Sequence, residues 1–152
     1  HLDEDHGLNG CIVHNPRSNM NNSVGYAAPH RLGLPIALGT DGIGAAMLEE
    51  FRIAYARLRE HDVAATPELP WSWLETGYRI IPEAVDDRVT WSHGPIDPWR
   101  LAFQTNIKPE LVEIDGEVVY TEGELTRADA MEIRTKAAEQ AQRLFAKLEN
   151  MV

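Results

Sequence analysis

Asp41 stands in Leu38-Gly39-Thr40-Asp41-Gly42, where an apolar run gives way to a carboxylate between two glycines. The glycines remove neighbouring bulk, so a metal ion or a hydrolytic water can approach the carboxylate closely. Aspartate is also a favoured helix cap, and with a helix expected from about residue 45 that structural use stays open. His14 closes the run Cys11-Ile12-Val13 and can line the same mouth, or sit neutral in the core bonded to a backbone group. The stretch Asn19-Met20-Asn21-Asn22 offers amides to a polar substrate, and the same residues build turn networks. His1 and Glu4 form His-x-x-Glu, a spacing that can set a metal ligand beside a general acid or base. Within Asp3-Glu4-Asp5 that pair equally suits a solvated loop or helix start. Cys11 has no basic neighbour to lower its pKa and reads as an apolar side chain, not a nucleophile. Trp71, Trp73, Trp91 and Trp99 can stack a heteroaromatic ligand, although burial in a core or interface is the commoner use of indole.

These residues need elements to aim them. Cys11-Ile12-Val13 predicts a buried strand stopped at His14-Asn15-Pro16, because proline restricts the residue before it. The segment 15–25, rich in Asn and Ser, predicts a polar loop. A second strand is expected over 34–38, broken at Gly39. Met47, Leu48, Phe51, Ala54, Tyr55 and Leu58 then recur at helical spacing beside Glu49, Glu50, Arg52, Arg57 and Glu60. Two apolar strands with polar loops at their C-terminal ends point to parallel pairing covered by helices. In such sheets ligands bind at those strand ends. Beyond residue 61, prolines and all four tryptophans mark a change of character. There a short helix over about 71–80, a strand at 89–91 and a hairpin of 111–114 with 117–120 are expected, the hairpin turning on Asp115-Gly116. Asp129, with Glu132 three residues on, predicts the start of a terminal helix whose apolar face holds Ile133, Ala137, Ala141, Leu144 and Leu148.

Composition narrows the classes of function. The 152 residues carry 14 Lys+Arg against 24 Asp+Glu, a net charge of -10, with no basic run. That field opposes phosphate backbones and anionic lipid, so nucleic acid and membrane are not expected partners. Apolar stretches last only a few residues, whereas a membrane span takes about 20. One cysteine supports neither a disulfide framework nor a cysteine-rich zinc module, and implies a reducing, cytoplasmic setting. The first residues lack both Met and an apolar signal core, so a fragment is expected.

Taken in order, His14-Asn15-Pro16-Arg17-Ser18-Asn19-Met20-Asn21-Asn22 followed by Leu38-Gly39-Thr40-Asp41-Gly42 resembles the amidohydrolase superfamily. It looks most like the branch of cytosine- and guanine-type deaminases, triazine chlorohydrolases and SsnA-type aminohydrolases. In that family the first motif closes strand seven of a (β/α)8 TIM barrel and the second closes strand eight. Residues 113–119 look like the strand-turn-strand by which these proteins return to a small β-sandwich. The resemblance implies that Asp41 binds or approaches one catalytic divalent metal, zinc or iron, and takes a proton from its bound water. The metal-activated water would attack an electron-poor carbon of a heterocyclic or amidine-like small molecule and release ammonia or chloride. His14 and Asn19 would line the mouth as substrate-binding residues. His1 and Glu4 would be the strand-five ligand and proton shuttle in one register; the favoured register places them at the exit of strand six, without a catalytic role. Ala46 stands where several relatives carry an acidic residue.

A complete barrel needs about 250 residues. The expected architecture is therefore α/β, with 1–85 as the C-terminal strands and helices of a metal-dependent hydrolase barrel. Residues 86–125 supply strands of the small β-sandwich, and 126–152 a C-terminal helix. Only five residues lie between Asp5 and Cys11, and eight between Gly25 and Leu34, too few for full crossover helices. The missing barrel strands, or a second chain, are expected as partners beside the small-molecule substrate, and a homo-oligomer is expected. The alternative is a non-catalytic fragment or scaffold domain that folds only with a partner chain.

Overall fold

The computed structural model describes residues 9–151. They form a mixed α/β chain of two compact units, one holding the residues up to Val85 with Pro95–Ile107, the other Asp86–Gly94 with Lys108–Val152.

In the first unit, β1 (Ile12–His14) pairs in parallel with β2 (Ile36–Leu38), in the register Ile12 to Ile36 and His14 to Leu38. The parallel pairing expected from two apolar strands with polar ends is present. The crossover is compact. The segment expected as an irregular loop contains a helix, α1 (Pro16–Asn21), because Pro16 at its first position has φ already set for a helix. A 3-10 turn (Pro29–Arg31) then leads into β2. A second expectation is corrected at β1: all of β2 is buried, but Val13 on β1 is 50% exposed.

The long helix α2 (Met47–His61) buries Phe51, Ala54 and Leu58 completely, as its apolar spacing requires. Helix α3 (Glu68–Ile80) starts earlier than the sequence suggests, since Pro70 fits within the first turn where no intrahelical N–H is needed. It places Trp73 against the core. The short α4 (Pro98–Phe103) went unread in the sequence, although Asp97 is a regular cap that accepts from Arg100 N at 2.9 Å. Residues 95–107, which the sequence reading grouped with the antiparallel strands, belong to this unit because Leu101 is fully buried among Ile36, Leu38, Phe51 and Leu58. Arg52 fastens α4 to α2, donating through Nε to Leu101 O at 2.9 Å and through a terminal nitrogen to Gln104 O at 2.8 Å. Each such charge-assisted bond to a carbonyl contributes about 1.5–3 kcal/mol.

The second unit is a four-stranded antiparallel sheet in sequential order, β3 (Arg88–Trp91), β4 (Pro109–Ile114), β5 (Glu117–Thr121) and β6 (Glu124–Leu125). Asp115 and Gly116, at φ 51° and 73°, make the two-residue turn expected between β4 and β5. Glu122 and Gly123, at φ 50° and 93°, make a second such turn into β6, which the sequence reading lacked because Glu-Gly is not a customary pair there. Helix α5 (Ala130–Glu149) begins where expected, the Asp129 carboxylate accepting from Met131 N and Glu132 N at 2.8 and 3.0 Å. Its apolar face is open: Ile133, Leu144 and Leu148 are each about half exposed. Among the described residues no helix is long and apolar enough to cross a membrane.

Candidate functional site

The loops that follow β1 and β2 meet at the C-terminal ends of the parallel pair. Gly39 N donates to His14 O at 3.0 Å, so the second loop leaves its strand directly against the first. A Cβ at Gly39 would overlap Asn15 Oδ1 and come within 2.7 Å of Val13 Cγ1, so any other residue would have to displace both side chains. Two residues on, Asp41 takes φ 51°, a left-handed conformation that aspartate tolerates better than most side chains. It does not cap α2, whose first residue is preceded by Ala46 with no side-chain cap bond. Its carboxylate is held elsewhere. Ser18 Oγ donates to Oδ2 at 2.7 Å and Gly42 N donates to Oδ1 at 2.7 Å. These two bonds, Ser18 first, hold the Asp41 carboxyl below the usual carboxylate range, so it is ionised at neutral pH. Asn22 Nδ2 in turn donates to Ser18 Oγ at 3.3 Å.

Ser18 is itself almost fully buried, and its position depends on a charge pair that sequence reading missed. Glu50, on α2, is 1% exposed. Its Oε2 accepts from Arg17 N at 3.2 Å, satisfying one of the unbonded N–H groups at the start of α1, where Asn15 makes no side-chain cap. Its Oε1 lies 2.9 Å from Arg17 Nε, an ion pair set off the hydrogen-bond direction. The sequence pattern sets Glu50 among the charged residues beside the apolar stripe of α2. The visible signal was its spacing, since 50, 54 and 58 fall on one helix face and the other two are Ala and Leu.

His14 stands apart from this network. Its ring is 4% exposed and meets Trp73 edge-on at 5.9 Å and Tyr26 at 6.2 Å between centroids. Burial pushes the imidazole down to about 4, so it is neutral, and its Nε2 is buried without a hydrogen-bond partner. Asn19 lies on α1, half-buried, its main chain bonded to Asn15 O and accepting from Val24 N. The structure thus joins Asp41 to Ser18 on the Asn-rich segment, while the ring of His14 packs with the aromatics. Cys11 is half-buried and donates to Ile12 O at 3.7 Å, outside the strand proper. His1 and Glu4 lie outside the described residues. Trp73 is core, Trp71 packs edge-on against Phe51, and Trp99 stacks on Phe103 while donating to Glu68 Oε1 at 2.6 Å.

Among the described residues no group of three or more His, Cys, Asp or Glu side chains is placed to hold a metal ion. A catalytic zinc takes three protein ligands, and Asp41 supplies a single carboxylate. The described residues therefore do not by themselves complete a centre for zinc or iron.

Two outcomes follow from this geometry. Replacing Glu50 by Ala leaves Arg17 without its charge partner and the start of α1 without an acceptor, which should cost about 2–4 kcal/mol in urea unfolding. Glu50→Gln, which retains an acceptor, should cost less. For His14, the folded pKa of about 4 lies below the ordinary 6.5, so the unfolded chain binds the extra proton between those values. Its contribution to stability is complete above pH 6.5 and is lost as pH falls towards 4. Between pH 7 and pH 5 the wild type should lose about 2 kcal/mol more than His14→Leu, measured by urea unfolding at both pH values. No protein-family model matches the chain, and no solved structure matches it.

Proposed function

We propose that this chain is the C-terminal part of a cytoplasmic, metal-dependent hydrolase of the amidohydrolase kind, acting on C–N or C–Cl bonds of a heterocyclic or amidine-like small molecule. In this reading β1 and β2 are the seventh and eighth strands of a (β/α)8 barrel, and β3–β6 contribute to a small β-sandwich. One observation carries the proposal: the two motif-bearing loops lie side by side at the C-terminal ends of a parallel pair and are joined by the 2.7 Å bond from Ser18 to Asp41. That is where parallel α/β folds bind ligands. Asp41 is exposed, ionised and fixed through both oxygens, so it enters a reaction without a cost of reorganisation. Its lowered pKa suits a ligand or an electrostatic partner of a developing positive charge better than a strong base. Asn19 and His14 keep positioning roles, with His14 acting through the ring packing that fixes the end of β1. The divalent zinc or iron belongs to the proposal through ligands on strands beyond the described residues.

The test uses the protein in which these residues stand together with the remaining barrel strands. Metal content by plasma mass spectrometry should give about one zinc or iron per chain. With amino- and chloro-substituted heterocycles as substrates, Asp41→Asn should lower kcat roughly 100-fold or more, and Ser18→Ala by a smaller factor of about 10. An unchanged rate in Asp41→Asn removes the assigned role.

A second reading, a scaffold domain completed by another chain or another copy, is favoured by a separate observation. Val13, Ile133, Leu144, Phe145 and Leu148 are all about half exposed or more, so β1 at Val13 and the apolar face of α5 each lack cover. Size-exclusion chromatography with light scattering should then show the 152-residue chain as a dimer or larger. A monomer with a cooperative melt rejects this second reading.

A further inference from the structure

We propose that the groove between the start of β2 and the face of α3 that carries Trp73 and Thr76 is a binding site for a small-molecule carboxylate with an apolar body. It lies at the opposite end of β2 from Asp41 and does not rest on the hydrolase reading. The groove has a volume of about 520 Å³, within the range of small-molecule sites. Its walls are apolar, made by Leu34, Ile36, Leu69, Trp73 and Ile80. Trp73 belongs to the core beneath, and Leu69 and Ile80, 37% and 48% exposed, offer the accessible apolar surface, so an aliphatic chain laid over them leaves water without opening the fold.

The polar groups of the groove are few, and they select charge. No Asp or Glu lines it, although acidic residues outnumber basic ones in the chain by 24 to 14. Arg79 stands at its edge. One terminal nitrogen of that guanidinium donates to Thr76 Oγ1 at 3.1 Å, and among the described residues no carboxylate lies within ion-pair distance of it. The hydroxyls of Ser72 and Thr76 are already directed to backbone carbonyls, at 2.7 Å to Leu69 O and 2.9 Å to Ser72 O. The remaining N–H groups of Arg79 are therefore the donors with capacity to spare. A planar guanidinium accepts a carboxylate through two parallel bonds, and a single cation matches its single charge better than the double charge of a phosphate monoester. His30 also lines the groove. Burial, and then the nearby Arg31, lower the His30 pKa against the opposing charge of Asp62, so the ring is neutral and adds no second cation to the groove.

The probes are octanoate, octanamide and octylamine, titrated calorimetrically into the 152-residue chain after its secondary structure has been checked by circular dichroism. Octanoate should bind saturably at one site, with octanamide at least tenfold weaker and octylamine weaker still. Arg79→Gln should weaken octanoate about tenfold while leaving octanamide unchanged. Because Arg79 and Ile80 are exposed, both can be replaced without disturbing the core, and Ile80→Glu should abolish octanoate binding by placing a like charge in the groove. Equal affinity for octanoate and octanamide, an unchanged affinity in Arg79→Gln, or the absence of saturable binding each overturns the proposal.

Discussion

Between the ends of β1 and β2 there is room for a backbone but for a side chain only if Val13 and Asn15 move, since a Cβ on Gly39 would collide with both. The rest of the candidate site follows from that restriction. With glycine there, the second loop lies against the first, Gly39 N reaches His14 O, and the chain arrives at Asp41 within reach of Ser18. The left-handed conformation of Asp41 then turns its carboxylate back onto the N–H of the next residue. Each step is local, but together they hold an exposed negative charge by two bonds instead of leaving it to solvent.

The other half of the contact, Ser18, is held through electrostatics. A carboxylate that is 1% exposed is costly unless it is paired, and Glu50 is paired with the side chain and the backbone of one residue, Arg17. The consequence is directional. The pair ties the first turn of α1 to α2, so the residue next in sequence, Ser18, faces the Asp41 loop. Arg52 does the same for α4 by donating to two main-chain carbonyls. Both arginines thus convert an apolar helix face into a specified orientation, which hydrophobic packing by itself does not supply because it is non-directional.

The first unit buries its second strand more fully than its first, and the second unit ends in a helix with one apolar face open. Parallel strands are normally covered on both faces, and exposed apolar stripes of this kind usually meet another surface. The scaffold reading draws on this feature, since it asks for more protein against these open apolar surfaces.

Much of the fold was legible in the residues. The spacing of Phe51, Ala54 and Leu58 determined α2, Asp115-Gly116 determined the β4–β5 turn, and Asp129 determined the start of α5. In each case the physical cause lies within a few residues of chain: a helical period, a positive φ or an oxygen capping free N–H groups. The helix α1 was hidden because Asn and Ser favour turns, and what stabilises its first turn is Glu50, 33 residues from Arg17. The sequence singled out Asp41 and its glycines, but its partner in the fold, Ser18, comes from 23 residues away. His14 was open between a ligand and a core residue, and tertiary structure alone set its ring between Trp73 and Tyr26. Local chemistry was written in the chain; which groups meet was decided by packing, because burial and close approach depend on residues that are neighbours only after folding.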